Sequence, residues 1–358
     1  MTDNISQNSD HKPISSDAPN EDKTRVSYLI GAGGSHASVN AKKCPHGILM
    51  NDLITDLARN IRNEIESKPI YKPFWRLVND MADPKNNIDV EHLITFCEES
   101  PSALHNEFAK VVREAFHSVL EKRLNDIEKD IGHERFYLYE RLFKMHKRNK
   151  NEILRGILTL NYDDFIEEAA KRVESWEDAD LDFCRTGETR DIRFLKLHGS
   201  FFWNRGWPLQ RRTGIEDTLW IPPGIQKRKD RYPFNILWGM ARDVLDCDVL
   251  RVIGCRLGAN DWDLISLIFS TQHTSLAGSN PYTIEIIDSL KHANKLKKDY
   301  PYLDIKSLVE IETYDIGRDI ENDLPTYGDL SKGQNWFLLW LETMYNNGLG
   351  LDINEEDP

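Results

Sequence analysis

Four short runs in this 358-residue chain hold residue types able to grip an anion or move a proton. The first is Gly31-Ala32-Gly33-Gly34-Ser35. Glycines there let the backbone turn sharply and approach a pyrophosphate, while N–H groups at the start of a following helix hold its charge. Ser35 adds a hydroxyl donor. His36 stands where a dinucleotide fingerprint would have its third glycine, so a plain strand–helix turn explains this run alone equally well. The second run is Thr159-Leu160-Asn161-Tyr162-Asp163. The Asn161 amide both donates and accepts, which suits a ribose hydroxyl or a water. A helix cap is the competing reading, and Asp163 or Asp164 fits it better. The third run, Leu197-His198-Gly199-Ser200, offers a base that titrates near neutral pH beside a residue that leaves room for a ligand. A structural histidine is the alternative. The fourth is Gly254-Cys255-Arg256-Leu257-Gly258, a second loop for close approach. Asn260 or Asp261 then suits the cap of the next helix. No Cys-His pair accompanies Cys255, so it is not read as a nucleophile.

Each run follows a segment that reads as a buried strand. Val26-Ser27-Tyr28-Leu29-Ile30 feeds the glycine loop, Gly156 to Leu160 feeds Asn161, and Ile192 to Leu197 feeds His198. Val249 to Ile253 feeds Gly254, and Thr283 to Ile287 ends at Asp288-Ser289. Short apolar strands alternating with helices predict a parallel, doubly wound sheet. In such sheets ligands bind beyond the carboxyl ends of the strands, where all these runs fall. Residues 51 to 150 read instead as helix throughout, with Leu104, Phe108, Val111, Val112, Phe116, Val119 and Leu120 at three- and four-residue intervals. They form an expected helical insertion. Residues 1 to 24 read as a disordered leader. Near the other end, Trp336, Phe337, Leu339, Trp340 and Met344 mark an apolar-faced helix that either packs on the domain or serves assembly.

Bulk properties exclude several classes. The formal net charge of −13 disfavours a surface made to hold nucleic-acid phosphates directly. No run approaches the length of a transmembrane helix, and residues 1 to 23 lack the apolar core of a signal peptide. Five scattered cysteines, Cys44, Cys97, Cys184, Cys247 and Cys255, read as reduced thiols in a cytoplasmic protein. None has the spacing of a zinc ribbon, and neither a phosphate-loop lysine motif nor HExxH is present, so no metal is expected.

Taken together and in order, Gly31-Ala32-Gly33 with Ser35, Leu160-Asn161-Tyr162-Asp163, His198-Gly199 and Gly254-Cys255-Arg256-Leu257 resemble the sirtuin family. More closely they resemble its bacterial sirtuin-like branch found in anti-phage defence. The resemblance spans roughly 26 to 290. It implies a Rossmann-like α/β catalytic domain over 25–290, interrupted by the helical insertion, and a C-terminal extension over 291–358. It also implies roles. Asn161 beside the nicotinamide ribose and His198 as base become catalytic. Gly31, Ala32, Gly33, Ser35, Asp163, Gly254, Cys255 and Leu257 become contacts to NAD+, and Asp288 comes near the adenine ribose.

Two departures narrow the implied activity. The four-cysteine zinc module of the protein deacylases is missing, and so is their Pro-Asp-Phe-Arg type segment: Ala37 to Met50 holds only Cys44-Pro45-His46-Gly47. What remains is the part that binds NAD+ and breaks its glycosidic bond, as in the defence branch. The expected activity is therefore an NAD+ glycohydrolase acting by NAD+ depletion. The alternatives are an NAD-dependent protein deacylase and a non-catalytic subunit sensing NAD+ or ADP-ribose. Unregulated NAD+ loss would poison its host, so the resemblance further implies a switch. A homo-oligomer and a separately encoded partner are expected, a HerA-like hexameric ATPase ahead of a short Argonaute.

Overall fold

A computed structural model describes residues 23–83, 85–86, 90–149, 151–173, 192–204, 218–223, 229–230, 233–273, 282–307 and 336–348. Nearly all of the expected leader, and Cys184, lie outside these. The last leader residue, Thr24, already begins the first strand.

Six parallel strands form one sheet: β1 (Thr24–Ile30), β2 (Glu152–Thr159), β3 (Arg193–Lys196), β6 (Val249–Ile253), β7 (Thr283–Ile287) and β8 (Ile305–Ser307). Their order across the sheet is β3-β2-β1-β6-β7-β8. The chain thus winds outward from β1 to one edge, returns to the centre at β6, and winds outward again. This is the strand order of the doubly wound, Rossmann-like α/β fold, and its reversal point lies between β1 and β6. A separate two-stranded antiparallel sheet, β4 (Gly199–Asn204) with β5 (Thr218–Trp220), follows β3 directly.

The strands are apolar because both faces are covered. Along β1 the alternation is visible: Val26, Tyr28 and Ile30 join one core, and Leu29 joins the other. On Leu29's side lie α8 (Phe234–Val244), α9 (Trp262–His273) and α10 (Leu290–Asp299). On Tyr28's side lie α1 (Ala32–Ala41), α6 (Tyr137–Arg148) and α7 (Phe165–Arg172). Joining that core are the helices between α1 and α6: α2 (Met50–Ser67), α3 (Trp75–Ala82), α4 (Val90–Glu99) and the long α5 (Ala103–Ile131). All of α2 to α6 precedes β2, in the stretch that read as continuous helix.

One feature differs from the sequence expectation, and another decides between alternatives the sequence left open. The sheet does not end with β7. Strand β8 lies past residue 290, paired to β7 from Ile284↔Ile305 onward, so residue 290 marks no structural boundary. The apolar C-terminal helix, α11 (Trp336–Gly348), packs against α1, α6 and β7. Phe337, Leu338, Trp340 and Leu341 are buried in the main core. Trp340 is therefore not part of an assembly surface.

A charged cluster is buried on the Tyr28 face around Arg251. Arg251 donates to both carboxylate oxygens of Glu152 at 2.8 and 2.7 Å, to Glu285 at 2.9 Å and to the Tyr28 hydroxyl at 3.1 Å. Tyr28 also meets His146 Nε2 at 2.5 Å. Burial and the nearby Arg251 push the His146 imidazole down to about 3, so it stays neutral. The cluster ties the four central strands to α6. A buried ion set of this kind is strongly destabilised when one partner is removed. Among the described residues, no helix is long and apolar enough to cross a membrane.

Candidate functional site

The carboxyl ends of five strands open into one cavity of ≈ 1040 Å³. It sits at the reversal point of the sheet, where doubly wound folds bind ligands. Its floor follows the strand order. His198 ends β3, Asn161 ends β2, Gly31 to Gly33 end β1, Gly254 to Arg256 end β6, and Asp288 ends β7. Its apolar wall comes from the helical region: Ile48, Leu53, Phe116, Leu120 and Leu124. These are core residues of α2, α5 and the loop before α2, so the insertion closes the site from above.

The two glycine loops are pressed together. Gly31 N–H donates to the Ile253 carbonyl at 2.9 Å, and Gly33 N–H to the Gly254 carbonyl at 2.9 Å. A Cβ on Gly33 would lie 2.7 Å from that carbonyl oxygen, and one on Gly31 2.7 Å from Cys255 Cα. Gly254 has φ +55°, and a Cβ there would lie 2.2 Å from the Gly34 nitrogen. The sequence reading assigned these glycines to close approach of a pyrophosphate. The structure adds a second reason: they let the β1 and β6 loops touch. The Gly33 amide is already bonded to protein, so a ligand at this loop must use other donors.

Asn161 is 4% exposed. Its Nδ2 donates to the Gly31 carbonyl at 3.2 Å and to Ser35 Oγ at 3.0 Å, and its backbone N–H donates to Thr159 Oγ1. Those bonds fix the amide's orientation. Its Oδ1 is buried and has no hydrogen-bond partner among the described residues. An acceptor so placed on a cavity wall costs about 1–3 kcal/mol unless a ligand or water meets it.

Ser35 stands elsewhere than expected. It is fully buried and does not line the cavity. Its hydroxyl lies 3.0 Å from the Tyr139 hydroxyl of α6 and accepts from Asn161. It supports Asn161 from beneath, with its side chain off the cavity wall. Leu257 is also off the wall. It is 1% exposed with φ 45°, and its carbonyl accepts the Tyr300 hydroxyl.

Asp163 lines the cavity, yet its Oδ1 accepts the Phe165 N–H at 3.1 Å and so starts α7. Burial raises its carboxyl, with Lys196 opposing the shift. The neighbouring Asp164 is pushed up to about 7 by burial, reinforced by Glu167. His198 is 6% exposed, and its carbonyl accepts the Ile221 N–H at 2.8 Å, which fixes the backbone on which its ring is carried. Burial pushes the Cys255 thiol up to about 12, so it remains protonated and is no nucleophile. Asp288 is held by its neighbours: Oδ1 accepts the Ser289 N–H at 2.6 Å, and Oδ2 lies 3.2 Å from His292 Nδ1.

Several residues of the wall and of its supports had no part in the site read from sequence. His36 entered only as the residue that breaks the fingerprint. It lies on the wall 3.6 Å from Asp52, with burial lowering its pKa and Asp52 opposing. Tyr139 sat unremarked in a helical pattern. Asn260, expected as a possible cap, reaches across to α4, donating to Glu91 at 2.7 Å and lying 3.1 Å from His92. This bond joins the insertion to the rim of the sheet. Lys291, Lys295 and Lys298 recur at helical spacing just after Asp288, a signal that was legible.

Among the described residues, no group of His, Cys, Asp and Glu is arranged to hold a metal ion. In comparisons with known proteins, no family model and no curated protein matches this chain.

Proposed function

We propose that the chain is an NAD+ glycohydrolase. The observation that carries this reading is the order of groups along the floor of the cavity. A buried histidine and asparagine lie at β3 and β2, a glycine loop at a helix N-terminus lies at β1, a second glycine loop at β6, and a carboxylate and cations at β7. A dinucleotide carries its parts in that sequence: reactive ribose, pyrophosphate, adenosine. Four strand spacings of about 4.8 Å give roughly 19 Å, room for an extended dinucleotide. The resemblance to sirtuins points the same way.

In this reading the nicotinamide ribose lies over Asn161 and His198. The bond from ribose C1′ to the nicotinamide nitrogen breaks, its electron pair stays with the nitrogen, and nicotinamide leaves neutral. The ribose passes through an oxocarbenium-like state, as in glycoside hydrolysis. Asn161 Oδ1, otherwise unmatched, accepts from the attacking water or a ribose hydroxyl and sets its orientation. His198 takes the proton released as water adds to C1′. The products are nicotinamide, ADP-ribose and one proton. The walls of α2 and α5 keep other water away from the cation.

Incubation with NAD+ should release nicotinamide. Asn161→Ala and His198→Ala should each lower kcat by about 10²–10⁴-fold. Full activity in both variants would overturn the assignment. Assembly with further copies and with a HerA-like ATPase, and a role in anti-phage defence, follow from the resemblance and are part of the same proposal. Tight binding of ADP-ribose with no turnover under any of these conditions would favour a sensing subunit instead.

A further inference from the structure

We propose that the adenosine end of this cavity is built for a third phosphate, so that the preferred ligand is a 2′-phosphorylated dinucleotide such as NADP+. The inference rests on the dinucleotide reading above and concerns only its β7 end.

Lys291, Lys295 and Lys298 fall one and two turns apart on α10, and all three line the cavity. Arg256, from the loop after the neighbouring strand β6, lines it too. None of these four has an ion-pair partner among the described residues, although acidic groups outnumber basic ones in the chain, 59 to 46. Some basic side chains elsewhere are paired, as Arg193 with Asp243, Arg172 with Glu140 and Lys229 with Asp263; what sets these four apart is that they line one cavity. Four cations lining one cavity make its local potential positive and attract an anion. Asp288, which lines the cavity with them, accepts the Ser289 N–H and lies 3.2 Å from His292 Nδ1.

In doubly wound folds, a free carboxylate at a strand end takes the ribose 2′-hydroxyl, whereas a cation there takes a 2′-phosphate. Here each oxygen of the carboxylate already has one partner, and four cations line the same cavity. In the dinucleotide reading the pyrophosphate lies over the β1 loop, two strands from β7, which leaves the lysines for a separate anion. Charge-assisted hydrogen bonds to a doubly charged phosphate are the strong kind.

The test compares binding of ADP-ribose and 2′-phospho-ADP-ribose to the full chain by calorimetry. The 2′-phosphate should tighten binding at least about tenfold, which is one charge-assisted hydrogen bond. That gain should shrink with added salt and vanish in the exposed-site variant Lys291→Ala/Lys295→Ala/Lys298→Ala. With NADP+ and NAD+ as substrates, the ratio of kcat/KM should fall in the same variant. Equal affinity for the two ligands would overturn this inference and leave the dinucleotide reading standing. A 2′-phosphate gain that survives loss of the three lysines would overturn it too. Failure of both ligands and of NAD+ to bind would overturn both readings.

Discussion

Asn161 has two sides, and the fold uses them differently. Its amide nitrogen is bonded to the Gly31 carbonyl and to Ser35, while Oδ1 is left for a ligand. Ser35 is in turn bonded to Tyr139. This is a relay of position, and it predicts a particular kinetic signature. Ser35→Ala and Tyr139→Phe should lower kcat of NAD+ cleavage by about tenfold with KM changing less than threefold, since the ligand's phosphates are untouched. A larger change in KM than in kcat would return Ser35 to the phosphate role read from sequence. Asn161 and His198 were legible because each sits one residue past a readable strand. The support of Asn161 was not. Tyr139 stands 104 residues from Ser35, and only the packing of α6 on α1 brings the two together. Asp164 carries the pH prediction. Its folded pKa of about 7 lies above the unfolded value, so the folded state binds this proton more tightly. Stability should therefore fall as pH rises from about 4 to about 7. Asp164→Asn should remove that loss, raising stability by on the order of 2 kcal/mol at pH 8 and by little at pH 4, read by thermal unfolding. An equal gain at both pH values would contradict the buried-proton account.

At the scale of elements, the glycine loops are the joint on which the site depends. Gly254 has a positive φ and no space for a methyl group, whereas a Cβ on Gly258 would meet nothing closer than 4.0 Å. Gly254→Ala should cost about 3 kcal/mol through strain and displacement of the β1 loop. Gly258→Ala should stay within about 0.5 kcal/mol. Denaturant unfolding checks the pair, and equal effects would contradict the joint. The strands that feed these loops were readable because each is a short, continuous apolar run ending in glycine or a polar residue. β5 and β8 were not, since three-residue strands leave too short a pattern for periodicity to detect. The long helical stretch was plain in sequence, but its purpose was not. Phe116, Leu120 and Leu124 look like ordinary core positions, and only the fold turns that stripe toward the cavity.

At the scale of the molecule, one sheet carries two cores, and the C-terminal helix belongs to the larger. The sequence left open whether the Trp336 to Met344 helix packs on its own domain. In the fold it buries Phe337, Leu338, Trp340 and Leu341 against α1, α6 and β7, and Trp336 reaches the cavity wall. Burying such side chains contributes about 1.5–3 kcal/mol each, together comparable to the 5–15 kcal/mol that hold a domain folded. A chain ended after residue 335 should lose its cooperative thermal transition. A sharp transition within a few degrees of the full chain's would show the helix to be dispensable. The cavity depends on all of these layers, because its floor is the sheet, its roof is the insertion and part of its rim is α11. The measurement that tests the central claim most directly is mass spectrometry of NAD+ incubated with the full chain in ¹⁸O-labelled water. The account predicts nicotinamide and ADP-ribose carrying one ¹⁸O at C1′, with both formed about 10²–10⁴-fold more slowly by Asn161→Ala. Intact NAD+ with the wild-type chain, together with no binding of ADP-ribose, would contradict it.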